Sequence, residues 1–278
     1  MQLTFLVDNY SLIGTTFLAE PALSVLIRED GRRILFDAGY SDAFLKNARQ
    51  LGQDLLNLDW IVLSHGHFDH TWGLDVLIRH YFEAERSKQP LSRPRLLAHP
   101  EAFVTKRKGR QPEIGMLLAK DKLNTQFELT LSAKPVWLTE KLVALGQIER
   151  VLDFETPPPL GERMEPTGPV PDHMPDDTAM TYVSETGLVV ISGCAHAGIC
   201  NTVEQARRVT GVDRVRAVVG GFHLIKEGPA RLDATTDYLA ALNLESLHAC
   251  HCTDLAAKVA LARKCPLMEA GSGVSLEF

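Results

Sequence analysis

Seven residues at the end of an apolar run constrain this chain more than anything else in it. Leu58-Asp59-Trp60-Ile61-Val62-Leu63 reads as a buried strand and leads directly into Ser64-His65-Gly66-His67-Phe68-Asp69-His70. Three imidazoles and a carboxylate fall within the six residues 65–70. They offer the nitrogen and oxygen donors that zinc, iron and manganese accept. An isolated pair of histidines would read as a solvated turn; this density after a buried strand does not. The spacing suits two neighbouring ions, with His65 and His67 towards one and Asp69 and His70 towards the other. Four local ligands cannot complete two sites, so later residues are needed, and His173, His196, His223 and His251 are the candidates.

The rest of the chain supplies a scaffold for such a site. LTFLVD, LSVLIRED and RRILFDAG read as three short strands, the last two joined by the hairpin signal Asp30-Gly31. Residues 42–52 are patterned as an amphipathic helix, and GLDVLIRHYFEAER as another. Residues 87–165 are less regular, with a strand near RLLAH, the basic run Lys106-Arg107-Lys108-Gly109-Arg110 and a proline-rich stretch. This segment is expected to be an insertion that caps the site within a single domain spanning 1–278. Rhythm returns in AMTYVSETGLVVISG, a hairpin turning at Glu185-Thr186-Gly187. A helix over NTVEQARRVTG follows, with Asn201 as its expected N-cap. VRAVVGG, DATTDYLAALN, SLHAC and DLAAKVALARK then alternate strand and helix, and GVSLEF reads as a final edge strand. Polar clusters follow several strand ends: Asp37, His65 to His70, Cys194 to His196, His223, and His251 with Asp254. A rigid sheet positions such residues while loops leave them open to substrate.

Bulk properties narrow the class. At 278 residues, with 45% hydrophobic and 23% charged residues, the chain can bury a core of useful size. A net charge of −6 argues against a general electrostatic grip on nucleic acid but leaves room for a small anionic substrate. No segment reads as a signal peptide or is long and apolar enough to span a bilayer. Five cysteines, an odd count, suggest reduced thiols and a cytoplasmic setting.

The string SHGHFDH, its upstream strand and Asp37 in LFDAG resemble the metallo-β-lactamase superfamily, whose signature is H-x-H-x-D-H. The resemblance implies a four-layer αββα sandwich with a one- or two-metal site at one edge of its two sheets. The strings LVDN, SGCAHAGICN, GGFHL and CHCTD are similar to a narrower subgroup of metal-dependent hydrolases. That subgroup is typified by the dihydropterin ribofuranosylaminobenzene 5'-phosphate synthase. Two stretches depart from it, Asp176-Asp177-Thr178-Ala179-Met180 and Glu20-Pro21-Ala22-Leu23-Ser24. These differences bear on substrate more than on metal.

Within this resemblance, His196 is expected as a later metal ligand, with small neighbours that allow close approach. His173, in PDHMPDD, is its rival. Cys194 falls where many superfamily members carry a bridging aspartate, and is either a soft ligand or a buried small residue. His251 matches the final metal histidine. His223 matches a histidine that contacts the leaving group in related phosphodiesterases, so it is a candidate general acid or oxyanion partner, or else the last ligand in place of His251. His80, His99 and His248 lack such context and read as ordinary histidines. The basic run is either a phosphate contact or a solvated loop.

The expected protein is therefore a metal-dependent hydrolase with one or two divalent transition metals, zinc first, then manganese or iron. The expected ligands are His65, His67, Asp69, His70, His196 and His251. A metal-activated hydroxide, with Asp69 orienting it, would attack a small phosphorylated or phosphodiester-type substrate, and His223 would assist the leaving group. Two alternatives stand beside it. One is a synthase joining a pterin methyl diphosphate to an arylamine ribosyl phosphate with release of diphosphate. The other is a metal-binding module without hydrolysis.

Overall fold

A computed structural model describes all 278 residues, Met1 to Phe278. In chain order the strands are β1 (Gln2–Val7), β2 (Ser24–Glu29), β3 (Arg32–Phe36), β4 (Trp60–Val62), β5 (Arg95–Ala98), β6 (Lys106–Arg107), β7 (Glu128–Leu131), β8 (Val136–Trp137), β9 (Leu142–Ala144), β10 (Glu162–Glu165), β11 (Gly168–Pro171), β12 (Ala179–Ser184), β13 (Gly187–Ser192), β14 (Val215–Gly221), β15 (Ser246–Cys250) and β16 (Ser275–Glu277). The α-helices are α1 (Ala43–Gln50), α2 (Phe68–Thr71), α3 (Gly73–Arg86), α4 (Lys120–Gln126), α5 (Ile199–Thr210), α6 (Pro229–Ala241) and α7 (Leu255–Ala262). These elements form two compact units that interleave along the sequence. One comprises 1–133, 159–176 and 271–277, the other 134–158, 177–270 and Phe278.

The first unit is built on a seven-stranded sheet of order β16-β1-β2-β3-β4-β5-β7. Asp30 and Gly31 take φ of 49° and 72°, as the tight turn between β2 and β3 demands. From β3 onward the neighbours are parallel, so β3 and β4 end on the same edge and their loops collect there. One face carries α1 and α3: Phe44, Ala48, Leu74 and Leu77 pack with Leu26, Leu35, Ile61 and Leu96. The other face is also buried, through Phe5, Val25, Ile27, Ile34 and Phe36, which is why these strands read as near-continuous apolar runs. β16 closes the sheet as the expected edge strand, antiparallel to β1.

The second unit is a six-stranded sheet of order β15-β14-β13-β12-β9-β8. The β12–β13 hairpin turns at Glu185-Thr186, and β13, β14 and β15 run parallel, with α5 and α6 as their connections. Val203, Ala206, Leu239 and Leu261 of α5, α6 and α7 pack with Leu188, Val190, Val218 and Leu247 of the sheet. Again three parallel strands end together, at Ser192, Gly221 and Cys250. Each unit is thus built on one large sheet with helices packed against it.

Residues 87–165 are divided among three sheets. β5 and β7 belong to the seven-stranded sheet, β8 and β9 to the six-stranded one, and β6 and β10 with β11 make a small separate sheet. Weak periodicity there reflects short strands shared among three sheets. Asn201 is not an N-cap, for α5 starts at Ile199 with Gly198 before it. Asn201 instead clamps a loop, its Oδ1 accepting from Val151 N at 2.8 Å and Leu152 N at 3.0 Å. The missing cap is supplied by Glu155, whose carboxylate accepts from Cys200 N at 3.0 Å and Asn201 N at 2.8 Å.

Candidate metal centre

In the first unit the histidine loop is held from beneath by Asp37. This residue leaves β3 with φ of 60°, a conformation rare outside glycine and one that persists where surrounding structure enforces it. Its fully buried carboxylate accepts from Ser64 N at 2.7 Å and Ser64 Oγ at 2.7 Å, and lies 2.6 Å from His70 Nδ1. Ser64 Oγ in turn meets His65 Nδ1 at 2.9 Å. With the hydroxyl proton given to the carboxylate, His65 and His70 both carry hydrogen on Nδ1. Their Nε2 lone pairs are left for a metal, the usual arrangement of a carboxylate behind a ligating imidazole.

The outward nitrogens converge. His65 Nε2 lies 2.9 Å from His67 Nδ1, and donor atoms of His65, His67 and Asp69 all fall within 4.8 Å of one another. Burial, followed by the charge of Lys106, pushes the His67 imidazole down to about 3. It is therefore neutral at ordinary pH, as a ligand must be. Asp69 keeps its side chain 19% exposed, 3.9 Å from His70 Nε2, so it is the member of the cluster that water reaches. The neutral imidazole of His67, two more backed by the Ser64 hydroxyl and the Asp37 carboxylate, and the partly exposed carboxylate of Asp69 are a donor set that could hold a divalent transition metal.

A second layer of support was not legible in the sequence. Gly66 N donates to Asp176 Oδ2 at 2.8 Å, and Lys106 Nζ lies 2.6 Å from Asp176 Oδ1 and 3.2 Å from Asp172 Oδ2. All three charged side chains are buried. Burial raises the Asp176 carboxyl, but the Lys106 ammonium outweighs it and the net shift is downward. Gly66 has no room for a side chain, since a Cβ would overlap the Ala102 carbonyl. Lys106 is thus not a substrate contact but the buried partner of two aspartates. Arg107, Lys108 and Arg110 are exposed.

In the second unit the ends of β13, β14 and β15 bring together Cys194, His196, His223, His251 and Cys252. Ala195, His223 and His251 take φ of 52°, 47° and 50°. Such strain, repeated at three neighbouring strand ends, is characteristic of functional sites. The rings of His196 and His223 lie 4.3 Å apart between centroids, and His196 and His251 are buried. Ala197 N donates to Asp177 Oδ2 at 2.7 Å, which fixes the loop around His196. His223 N donates to Cys252 Sγ at 3.2 Å, and Cys252 Sγ lies 3.5 Å from Cys194 O. Burial raises the Cys252 thiol, but hydrogen bonding from Cys194 and His223 and the charges of His251 and His223 together hold it well below its ordinary value.

Of the other histidines, His173 is exposed in the first unit, in the segment following β11. His99 accepts from Glu101 N at 3.1 Å, and His248 Nδ1 lies 3.0 Å from Glu269 O, both structural roles as expected. No helix is long and apolar enough to cross a membrane.

Comparison with known proteins agrees with this geometry. Residues 19–209 match the family model of the metallo-beta-lactamase superfamily. The chain is 32% identical over 268 residues to the 7,8-dihydropterin-6-methyl-4-(beta-D-ribofuranosyl)-aminobenzene-5'-phosphate synthase of Methanocaldococcus jannaschii, covering 91% of this chain and 87% of the relative. An uncharacterized protein of the same organism is 29% identical, with 93% of each chain covered. Among solved structures, Tm1679, a metal-dependent hydrolase of the beta-lactamase superfamily, superposes with a TM-score of 0.83 at 28% identity over 100% of this chain and 99% of that one. The chain belongs to the metallo-beta-lactamase superfamily, and is an enzyme with that superfamily's metal-dependent hydrolase fold.

Proposed function

We propose that this enzyme hydrolyses a small anionic substrate, phosphorylated or phosphodiester-like, at a centre of two divalent metals, zinc by preference. The ligands would be His65, His67, Asp69, His70, His196 and His251. The observation that carries the reading is the convergence of imidazoles, two of them anchored through Asp37 and Ser64, on the one partly exposed carboxylate of the cluster. Bound metal would lower the pKa of water and offset the charge of the substrate anion. Asp37 would keep His70 in one tautomer, and Ser64 would do the same for His65. Asp69, reachable by water, would bind metal and orient the attacking water. His223 would donate a ring N–H to the leaving-group oxygen. The reduced thiols fit a cytoplasmic enzyme. A net charge of −6 fits a small substrate better than nucleic acid or an anionic membrane.

A second reading has one specific observation in its favour, the 32% identity to a synthase. In it the same donors would assist departure of diphosphate from a pterin as an arylamine ribosyl phosphate forms the new C–N bond. One experiment separates the two. The metal-loaded protein is screened against phosphomonoesters, phosphodiesters, lactones and thioesters, and then given a pterin methyl diphosphate with and without the arylamine. Turnover without amine, abolished by chelation, supports the hydrolase. Diphosphate release that depends on amine refutes it in favour of the synthase.

A further inference from the structure

We infer that Glu20 is a positioning residue for metal binding, acting through the loop Asp37–Ser41 on Asp69 and His70. The inference rests on the metal-binding reading of the His65–His70 loop. Every contact it uses lies within the first unit.

Glu20 precedes β2 and is remote in sequence from the histidines, yet its half-buried carboxylate is given wholly to the loop that follows β3. Oε1 accepts from Tyr40 N and from Ser41 N, each at 3.1 Å, and Oε2 accepts from Ser41 Oγ. Ser41 Oγ in turn accepts from Ala43 N at 3.1 Å, at the start of α1, where the Asp42 side chain makes no cap. The negative charge of Glu20 is therefore placed at the positive end of that helix.

The residues after Glu20 complete the grip. Gly39 N donates to Leu23 O at 3.0 Å, and Ser24 Oγ donates to Asp37 O at 2.8 Å. Leu23, Ser24 and Asp37 are fully buried, so water does not replace these bonds. On its other side the same loop reaches two candidate ligands. Ala38 N donates to His70 O at 2.8 Å, Gly73 N donates to Gly39 O at 3.0 Å, and Leu23 N donates to Asp69 O at 3.2 Å. The main-chain carbonyls of Asp69 and His70 are thus both held by groups that the Glu20 clamp fixes. Gly39 turns this loop with φ of 71°, and Gly73 lets it approach, because a Cβ there would lie 1.9 Å from Ala38 O.

The residue most sensitive to the clamp is Asp37. Its φ of 60° persists only while neighbouring contacts enforce it. From that conformation its carboxylate meets Ser64 and His70 Nδ1. Releasing Tyr40 and Ser41 lets Asp37 relax towards an ordinary backbone conformation and draws its carboxylate away from the His70 ring. Glu20 therefore orients ligands that it does not touch.

The test uses the full chain, with zinc affinity read by chelator competition and exchange of the His70 Nδ1 proton read by NMR in the metal-free protein. Glu20→Ala should weaken zinc binding about tenfold, the lower end of the range for groups behind a ligand, and should speed exchange of the ring proton. Glu20→Gln keeps an acceptor oxygen for Tyr40 N and Ser41 N and should restore most of the affinity. Asp54→Ala is the control for general destabilisation. It removes the acceptor of Leu56 N, held at 2.8 Å elsewhere in the same unit, and should lower Tm while leaving zinc affinity unchanged. If Glu20→Ala does not fold, Ser41→Ala takes its place and should show smaller losses in the same direction. Wild type that takes up no zinc would refute the metal-binding reading and this inference with it. Wild-type zinc affinity in folded Glu20→Ala, or equal losses in Glu20→Ala and Asp54→Ala, would overturn the inference alone.

Discussion

The buried ion pair at Lys106 permits a quantitative prediction. Replacing Lys106 by Met keeps the aliphatic stem but removes the ammonium that lies 2.6 Å from Asp176 and 3.2 Å from Asp172. Breaking a buried pair from one side leaves charge without compensation, which costs about 3–5 kcal/mol. At about 2.1 cal/mol/K per residue, 278 residues give an unfolding entropy near 0.6 kcal/mol/K, so Tm should fall by roughly 5–9 °C at pH 7. The pH dependence follows from linkage. In the wild type the Asp176 carboxyl is held below its ordinary value of 3.8. Its stabilising contribution is therefore present above that value and is lost as pH falls through the folded-state pKa. In Lys106→Met the buried carboxyl is protonated far more readily. The gap in Tm between wild type and variant should hence be widest near neutrality and shrink below about pH 4. Differential scanning calorimetry of the metal-free protein across this range makes the measurement. Adding Asp176→Asn to the variant should restore part of the loss, a coupling that the double-mutant cycle isolates. A shift under 1 °C at pH 7, or a gap independent of pH, would refute the argument. Neutralising Arg107 or Lys108, exposed neighbours in the same run, should change stability by no more than about 0.5 kcal/mol.

Other consequences are checked more briefly. Asp37→Asn should weaken metal binding about 10–100-fold in chelator competition, because the acceptor behind His70 and Ser64 is lost. His67→Ala with Asp69→Ala should remove metal from the first cluster, read by elemental analysis; full occupancy in the double variant would contradict the ligand assignment. His251→Ala should lower metal occupancy, whereas His223→Ala should retain the metal of the His65–His70 cluster and lose kcat; the opposite pattern exchanges their roles. Acidification should destabilise the metal-free protein between pH 6.5 and about 3, because His67 is neutral when folded and takes up a proton when unfolded. The loss should be at most on the order of 4–5 kcal/mol and absent in His67→Gln.

The parts of the fold that could be read from sequence are those fixed by local physics. Asp30-Gly31 adopts the positive φ values that a two-residue hairpin needs, and the sequence offers no other residues there that would. The run from Gly73 to Arg86 forms one helix because its apolar residues repeat along one face, where Leu74 and Leu77 are buried. The candidate metal cluster is visible for a similar reason. His65, His67, Asp69 and His70 lie so close in sequence that any chain reversal after β4 gathers them. His251 and His223 were harder to tell apart, because both follow parallel strands and both take positive φ, giving them equivalent local signals.

What escaped the sequence was decided by contacts between distant segments. Lys106 reads as one more charge in a basic run, and only the approach of residues 172–176 turns it into a buried partner of Asp172 and Asp176. Asn201 has the right side chain to cap a helix, but the helix begins two residues earlier because Glu155, 46 positions away from it, already occupies the exposed N–H groups. Gly198 is the trace that this arrangement leaves in the sequence: with φ of 103°, a side chain there would overlap the Glu155 carboxylate. Gly66 plays the same part for the histidine loop against Ala102. The small residues around His196 are expected to let metal or phosphate approach closely, but at Gly198 the room is taken by Glu155, as at Gly66 it is taken by Ala102. The glycines let a second segment press against each loop and hold it, so that the candidate ligand histidines are positioned from behind.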